Sequence, residues 1–371
     1  MWHDERITKM LGISKPLLLA PMAGSGGSAL AIAVMKAGGL GALPCAMLKP
    51  DQIRKEVLTI RTAVAGPLNL NFFCHCEPDA DKSRESLWLE RLAPYYKELD
   101  VQPPEEISGA GRNPFNEEAC ALVEELKPEV VSFHFGLPDA DLLERVFVTG
   151  AKVIATATTV TEARELEARG CDAVIAQGVE AGGHRGIFME SSLAAQPTTM
   201  ALVPQVADAV TLPVIAAGGI GDGRAIAAAF QLGASAVQIG TAFLRSPEAL
   251  TSKFHRRALA EAKDDQTVLT NIFTGRPARS IINRAIMELG PIAADAPAFP
   301  RATAALTPLR NAAEERDSGD FSPLWAGQAV ALAREAPAEE IFKSLMEGAE
   351  EMARPSFFKR IRSAGSARWR S

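Results

Sequence analysis

The sequence predicts an α/β fold, a (β/α)8 TIM barrel with a helical C-terminal extension. Between residues 17 and 246, eight short apolar runs alternate with helical segments, which is the order of elements in a parallel sheet. The helical segments end in glycine, as at Gly38, Gly170 and Gly233, and glycine commonly follows the last turn of a helix. The chain has 371 residues and is 47% hydrophobic, which is sufficient for a large buried core.

The eight apolar runs are the predicted strands. A count of eight favours closure into a barrel over an open, doubly wound sheet. The runs are LLLA from Leu17, GLGAL from Gly39, LNLNFF from Leu68, VVSFHF from Val130, KVIATA from Lys152, DAVIAQ from Asp172, PVIAAG from Pro213 and SAVQIG from Ser235.

Three segments depart from the barrel rhythm. Residues from about 75 to 115, rich in Pro and Glu, and residues from about 185 to 200 are long connections, which on a barrel usually form lids or substrate walls. After about residue 247 the chain has helices and turns but no strand rhythm. We therefore predict a cofactor-binding barrel over residues 1–250 and a mainly helical extension over 251–371 that packs on the barrel mouth.

The charge and hydropathy argue against several classes of protein. The formal net charge is −6, and the one basic concentration, RPSFFKRIRSAGSARWRS, is interpreted as a solvated end. We expect no nucleic-acid partner, because phosphate neutralisation needs a concentrated basic surface. Apolar tracts are interrupted before about 18 residues, so no membrane span is expected. The segment MWHDERITKML lacks an export signal, which predicts a cytoplasmic location. A homo-oligomer is compatible with the sequence.

The cysteines do not predict a metal site. Five cysteines in a chain without an export signal suggest reduced thiols. Cys74, His75 and Cys76 are adjacent, but no second Cys or His pair lies at ligand spacing. Tetrahedral zinc needs four donors, or three with an open position, so we expect no metal.

Glycine-rich turns follow the last two predicted strands. The sequences AAGGIGDGRA and QIGTAFL place Gly218, Gly219 and Gly240 at adjacent strand ends, where barrels commonly bind a phosphate. The chain has neither a dinucleotide-binding G-x-G-x-x-G turn with its acidic partner nor a P-loop lysine. These features predict a mononucleotide cofactor such as FMN.

Residues that suit a flat ring follow other strands. After the first strand comes APMAGSGG, whose small residues allow the backbone to approach a ring closely. Asn69 and Asn71 lie on one face of the third strand and offer amide groups to a polar edge. Gln177 ends the sixth strand.

Two histidines are candidate bases. His184 follows the sixth strand in QGVEAGGHRG, and His134 ends the fourth strand in VVSFHFG. Histidine is the side chain whose ordinary pKa allows base chemistry near neutral pH, and either residue could supply it. His3, His75 and His255 lie away from the motifs and are assigned no role.

Several motifs together resemble the nitronate monooxygenase family, formerly the 2-nitropropane dioxygenases, and most closely its class I members. The resemblance extends in order from about residue 13 to about residue 335, and it rests on LLLAPMAG, NLNFF, VVSFHFG, QGVEAGGHRG, PVIAAGGIGDGRA, QIGTAFL, TGRPARSI and SPLWAGQ. It implies non-covalent FMN without a metal. It also implies oxidation of alkyl nitronates, such as propionate 3-nitronate, with O2 to a carbonyl compound and nitrite.

The resemblance also implies roles for individual residues. His184 matches the family's catalytic histidine. The implied cofactor contacts are Met22, Ala23 and Gly182 along the isoalloxazine ring, Asn71 and Gln177 at its polar edge, and Gly218, Gly219, Gln238, Ile239, Gly240 and Thr241 around the ribityl phosphate. The chain differs from the family pattern in one respect. Its two tyrosines, Tyr95 and Tyr96, are far from the C-terminal region, so any tyrosine that relatives place over the flavin from that region is missing. This difference affects the expected substrate preference.

Three other functions remain open from the sequence. A flavin-dependent NAD(P)H oxidoreductase, such as a quinone or enoyl-acyl-carrier-protein reductase, would share the barrel and the phosphate loops. A barrel that binds a phosphorylated metabolite without flavin would need only the glycine turns. A flavin carrier would need no catalytic histidine.

Overall fold

The computed structural model describes residues 4–107, 111–189 and 192–353, so that His3 and the basic C-terminal segment lie outside the described residues. The strands are β1 (Leu17–Leu19), β2 (Gly41–Pro44), β3 (Leu68–Phe73), β4 (Val130–His134), β5 (Lys152–Ala157), β6 (Ala173–Gln177), β7 (Gly183–His184), β8 (Val214–Ala217), β9 (Ala236–Ile239), β10 (Thr267–Thr270) and β11 (Ala278–Ile281). The helices are α1 (Arg6–Leu11), α2 (Ser28–Lys36), α3 (Pro50–Ala63), α4 (Lys82–Leu99), α5 (Glu117–Leu126), α6 (Ala140–Val148), α7 (Val160–Ala168), α8 (Thr199–Ala209), α9 (Gly223–Gln231), α10 (Lys253–Glu261), α11 (Arg284–Leu289), α12 (Ala302–Glu315) and α13 (Ala338–Met352).

Eight parallel strands form a nearly closed barrel. Their order is β1-β9-β8-β6-β5-β4-β3-β2, and a parallel bridge between Leu18 and Leu40 joins the two ends. At this junction the Leu19 N–H donates to Leu40 O at 2.9 Å. All eight predicted strands are present, so the TIM barrel is confirmed. None of the described helices is both long and apolar enough to cross a membrane.

The eighth helix of the barrel comes from far along the chain. Helix α13 packs against α9 and α2, in the position that a helix following the last barrel strand would take. The contact is close, since a β-carbon on Gly223 would lie 2.3 Å from the carbonyl carbon of Gly348. The prediction that the extension packs on the barrel mouth is therefore wrong for α13. Residues between β9 and α13 form an insertion, and the domain boundary near residue 250 remains a prediction.

A small antiparallel sheet lies at the carboxyl end of the barrel. Its order is β10-β11-β7, and β11 pairs Ala278 with His184 and Arg279 with Gly183. The prediction that no strands follow residue 247 is wrong, because β10 and β11 are four-residue strands. Such short strands give no clear periodicity, and the pairing of β11 with β7 joins segments about a hundred residues apart. The pairing places His184 in a strand rather than in an open loop.

The long connection after β3 contains the 18-residue helix α4. Helix α4 packs on α12, and the two form a second hydrophobic core with Trp88, Leu92 and Leu309 fully buried. The Tyr96 hydroxyl donates to the carbonyl oxygen of Ala305 at 2.5 Å, which links the two helices. The connection and the insertion after β9 therefore stabilise each other beside the barrel mouth.

Candidate active site

A cavity opens at the carboxyl ends of the barrel strands, where barrel enzymes place their active sites. Of the residues predicted from the sequence for cofactor binding or catalysis, all but Asn69 line this one cavity. These residues are Met22, Ala23, Asn71, His134, Gln177, Gly182, His184, Gly218, Gly219, Gln238, Ile239, Gly240 and Thr241. The fold therefore brings together residues from six barrel strands or the turns that follow them.

The turns after β8 and β9 offer backbone N–H groups to the cavity. Gly218 and Gly219 have φ of 113° and 67°, a region that favours glycine. The N–H groups of Gly219, Gly240 and Thr241 donate no hydrogen bond to any residue that the structure describes. Asp222 already caps α9, accepting from Arg224 N at 2.9 Å. These loop N–H groups, rather than the first turn of α9, therefore suit a terminal phosphate. We refer to the N–H groups of Gly219, Gly240 and Thr241 as the phosphate cradle.

Polar side chains with unused acceptors line the rest of the cavity. Asn71 donates through Nδ2 to Ser132 Oγ at 2.9 Å, and its Oδ1 accepts no hydrogen bond from the described residues. Gln238 Oε1 is buried without a partner. Asn69 Oδ1 is also buried without a partner, but Asn69 lies outside the cavity lining. Two free acceptors beside a phosphate cradle fit a flavin mononucleotide, whose ring and ribityl chain carry donors.

His184 lies partly buried in the cavity wall and has one free ring nitrogen. Its Nε2 lies 2.9 Å from Thr274 Oγ1, while Nδ1 has no partner among the described residues. Burial lowers the pKa of His184 well below its ordinary value, and Arg112, His134 and Arg276 lower it further by charge repulsion. The imidazole is therefore neutral near pH 7, with a nitrogen available to exchange a proton.

His134 has both ring nitrogens engaged. Its Nε2 lies 3.2 Å from the carbonyl oxygen of His184, which can only accept, so Nε2 carries the hydrogen. Its Nδ1 then accepts from the Thr156 hydroxyl at 3.1 Å. Burial is the main cause that lowers the pKa of His134 to about 3. This arrangement suits a residue that positions the His184 backbone better than it suits a base.

Gln177 supports the same segment. Its Nε2 donates to the His184 carbonyl oxygen at 3.0 Å, and its Oε1 accepts from Gly186 N at 2.8 Å. Its second N–H remains for a ligand, since the side-chain amide carries two. Gln177 and His134 thus hold one carbonyl from two sides, which fixes β7 against the barrel.

Aromatic rings surround the His184 imidazole. The ring centroids of Phe299 and Trp325 both lie 5.3 Å from it, and that of Phe135 lies 5.9 Å away. Such a wall limits the access of water to the imidazole and explains its low pKa. A small apolar substrate group would also find favourable contacts here.

Some residues of the site were not predicted from the sequence. His255, which was assigned no role, lines the cavity, and its Nε2 lies 3.0 Å from the Trp325 carbonyl oxygen. Burial is the main cause that lowers its pKa to about 4. Thr274 and Trp325 lie in the motifs TGRPARSI and SPLWAGQ, but nothing in those motifs indicates contact with His184. His75 lies outside this cavity, with its ring 4.8 Å from that of Phe299.

Similarity to known proteins identifies the family of this chain. A sequence profile described as nitronate monooxygenase matches residues 4–348. The chain is 42% identical over 346 residues to a Pseudomonas aeruginosa protein named nitronate monooxygenase, and the match covers 92% of this chain and 98% of that protein. This chain belongs to the nitronate monooxygenase family. The family predicted from the sequence is confirmed, and so is the prediction that the protein is an oxidoreductase.

Solved structures agree with this family and with the barrel. The nitroalkane oxidase from Streptomyces ansochromogenes has a TM-score of 0.84 and 38% identity, with 93% of this chain and 98% of that chain covered. FabK from Thermotoga maritima has a TM-score of 0.71 and 29% identity, with 97% and 98% covered. The inserted segments are thus part of a fold that related enzymes share.

Proposed function

We propose that this member of the nitronate monooxygenase family binds FMN and oxidises alkyl nitronates with O2 to a carbonyl compound and nitrite. The observation that carries the proposal is that a phosphate cradle and a neutral, partly buried histidine with a free nitrogen line the same cavity. A barrel that only binds a phosphorylated metabolite or carries a flavin has no need of such a histidine.

The cofactor contacts follow from the unused groups of the site. The N–H groups of Gly219, Gly240 and Thr241 would hold the phosphate, and the free oxygens of Asn71 and Gln238 would accept hydrogen bonds from the ring or the ribityl chain. Bound FMN supplies the chemistry of electron acceptance from the substrate. The protein supplies the orientation of the substrate and the control of its proton.

His184 Nδ1 is the proposed base for a neutral nitroalkane. The α-carbon–hydrogen bond breaks, the proton moves to Nδ1, and the electron pair moves onto the nitro group to give the nitronate. The Thr274 hydroxyl lies 3.4 Å from the Arg276 carbonyl oxygen, to which it can donate. It then accepts from His184 Nε2–H, and this tautomer leaves the Nδ1 lone pair facing the cavity.

The proposal is tested on the purified protein in two steps. Mass spectrometry of the released cofactor should find FMN; finding FAD, or no flavin after gentle purification, would contradict the cofactor assignment. Anaerobic mixing with propyl 1-nitronate should reduce the flavin, and admission of O2 during turnover should yield nitrite. Rapid reduction by NADH or NADPH, without reaction with the nitronate, would favour the NAD(P)H oxidoreductase instead.

A further inference from the structure

A cation stacks on the aromatic wall that surrounds the His184 imidazole. Arg276 lies in the turn between β10 and β11, and it is not among the residues that line the proposed active-site cavity. Its guanidinium lies over the face of the Phe135 ring, with Cζ 4.0 Å from the ring centroid. The centroid of the same ring lies 4.5 Å from that of His134 and 5.9 Å from that of His184. One aromatic ring therefore links the guanidinium to both imidazoles.

Arg276 also holds the backbone that follows His184. Its Nη2 donates to the carbonyl oxygen of Ile187, three residues after His184 in the chain. The next two backbone N–H groups donate to Glu162 Oε1 at 2.8 and 3.1 Å. The segment after β7 is therefore held at adjacent residues by a guanidinium and by a carboxylate, and Arg276 supplies one of these two anchors.

The backbone of Arg276 belongs to the turn that carries Thr274. The Thr274 hydroxyl lies 2.9 Å from His184 Nε2, and it lies 3.4 Å from the carbonyl oxygen of Arg276, to which it can donate. In the next residue, the carbonyl oxygen of Pro277 accepts from Arg185 N at 2.9 Å. A shift of Arg276 would therefore move the hydroxyl that fixes the tautomer of His184.

The backbone conformation of Phe135 depends on such contacts. Its φ is 72°, in the left-handed region that a residue with a bulky side chain seldom adopts. A residue persists in that region only where its surroundings hold it. The ring centroids of Phe73 and Phe299 lie 4.9 and 5.4 Å from that of Phe135, and Arg276 lies over its face. Without the guanidinium, we expect the Phe135 ring to shift beside the imidazoles.

Arg276 also places a positive charge near His184. Burial is the main cause that lowers the pKa of Arg276 to about 10, so its guanidinium remains charged at pH 7. The pKa of His184 is lowered mainly by burial, and then by charge repulsion from the groups that face it, which are Arg112, His134, Arg276 and His75. The charge and the contacts of Arg276 can be separated by substitution, because lysine keeps the charge but has no planar group to stack on a ring.

We propose that Arg276 positions the imidazole of His184 for removal of the α-proton from a neutral nitroalkane. It acts through three contacts, which are the Phe135 ring, the Ile187 carbonyl oxygen and the turn of Thr274. This inference rests on the proposed function, in which His184 Nδ1 takes that proton. Loss of Arg276 should impair proton removal and leave the phosphate cradle, which lies on the turns after β8 and β9, intact.

The test compares 1-nitropropane with its own anion, propyl 1-nitronate, in the FMN-loaded enzyme. Arg276→Met should lower kcat/KM for 1-nitropropane by about 10- to 100-fold, the effect of a displacement of about 1 Å at a reacting group. The kcat/KM for propyl 1-nitronate should fall less than about threefold, because this anion has already lost its α-proton. An unchanged ratio of the two values, or an equal loss on both substrates, would overturn the inference.

Two further variants separate the contacts of Arg276 from its charge and from general stability. Arg276→Lys should still lose at least about fivefold on 1-nitropropane, because it keeps the charge without the stacked plane, and it gives the same test if the methionine variant does not fold. Full recovery in Arg276→Lys would mean that charge alone matters, which would overturn the inference. In the control Arg284→Met, an arginine is lost whose Cζ lies 5.6 Å from the Tyr95 ring centroid, away from the cavity lining. This control should leave the ratio within about twofold, since distant sites act independently.

A spectroscopic measurement follows His184 without turnover. Nitrogen NMR of the holoenzyme, isotopically labelled at histidine and assigned with His184→Asn, should show a single His184 tautomer in the wild type, with the hydrogen on Nε2. Arg276→Met should give averaged signals for the two ring nitrogens, because the Thr274 hydroxyl is no longer held against Nε2. An unaltered His184 spectrum in Arg276→Met would overturn the inference.

Failure of the proposed function is recognised separately, because the wild type would then oxidise neither 1-nitropropane nor propyl 1-nitronate. The NMR comparison would still decide whether Arg276 positions His184. A wild type that oxidises propyl 1-nitronate but not 1-nitropropane would leave the proposed oxidation of nitronates standing and would overturn this inference.

Discussion

Replacement of Gly219 by valine should weaken FMN binding about 5- to 30-fold. Gly219 has φ of 67°, and a β-carbon there would lie 3.3 Å from Glu180 Cβ. A residue other than glycine costs about 1–2 kcal/mol in this left-handed conformation. If the valine loop relaxes without the cofactor, binding must restore the strained turn, and that free energy corresponds to about 5- to 30-fold in Kd.

Glu180 cannot move away easily. Its carboxylate accepts hydrogen bonds from Thr199 N at 2.8 Å and from Thr199 Oγ1 at 3.0 Å, so any displacement weakens both. The side chain and the backbone strain therefore act in the same direction, and the upper part of the range is expected.

The assay is the FMN dissociation constant, measured by flavin fluorescence during titration of deflavinated protein. Gly150→Val is the matched control, because Gly150 has φ of 83° and a β-carbon there would meet nothing within 4 Å. It carries similar backbone strain outside the cavity and should lower the stability without changing Kd. An unchanged Kd for Gly219→Val, or an equal rise in Kd for the control, would refute the assignment of Gly219 to the phosphate cradle.

Three further predictions concern the histidines and the second core. The imidazoles of His134 and His255, with pKa values of about 3 and about 4, are neutral in the folded protein and take up protons on unfolding below pH 6.5. The free energy of unfolding should therefore fall by about 2 kcal/mol per imidazole between pH 7 and pH 5, measured by urea denaturation; a pH-independent value would contradict the burial. Thr274→Val should lower kcat for a nitroalkane and alter its pH profile, whereas Thr274→Ser should restore both; equal defects in the two variants would show that the hydroxyl has no effect on His184. Leu92→Ala should lower the free energy of unfolding by about 2–5 kcal/mol, and a loss below 1 kcal/mol in urea would show that the second core contributes little.

The barrel and the outline of the site could be predicted from the sequence because both depend on local features. Each barrel strand is an apolar run, and the site residues follow such runs at the ends of strands. The turns at Gly218 and Gly219 are visible because they need a conformation that few other residues adopt. The convergence of Met22, Asn71 and His184 on one cavity then follows from barrel closure alone.

The remaining features depend on contacts between distant segments. The amphipathic pattern of α13 predicts a helix, but not that it docks between α9 and α2. Strand β11 is too short to be recognised, and only its pairing with β7 brings Thr274 to within 2.9 Å of His184. His255 and Arg112 lie outside any motif, and their place in the cavity is set by the packing of the inserted segments.

The most direct test of the account is the effect of His184→Asn on two substrates, a nitroalkane and its nitronate. Asparagine keeps a hydrogen-bond donor but cannot accept a proton near pH 7. With FMN content confirmed, kcat/KM for the nitroalkane should fall by about 10²- to 10⁴-fold more than kcat/KM for the nitronate, which has already lost its α-proton. Equal losses on the two substrates would contradict the assignment of His184 as the base.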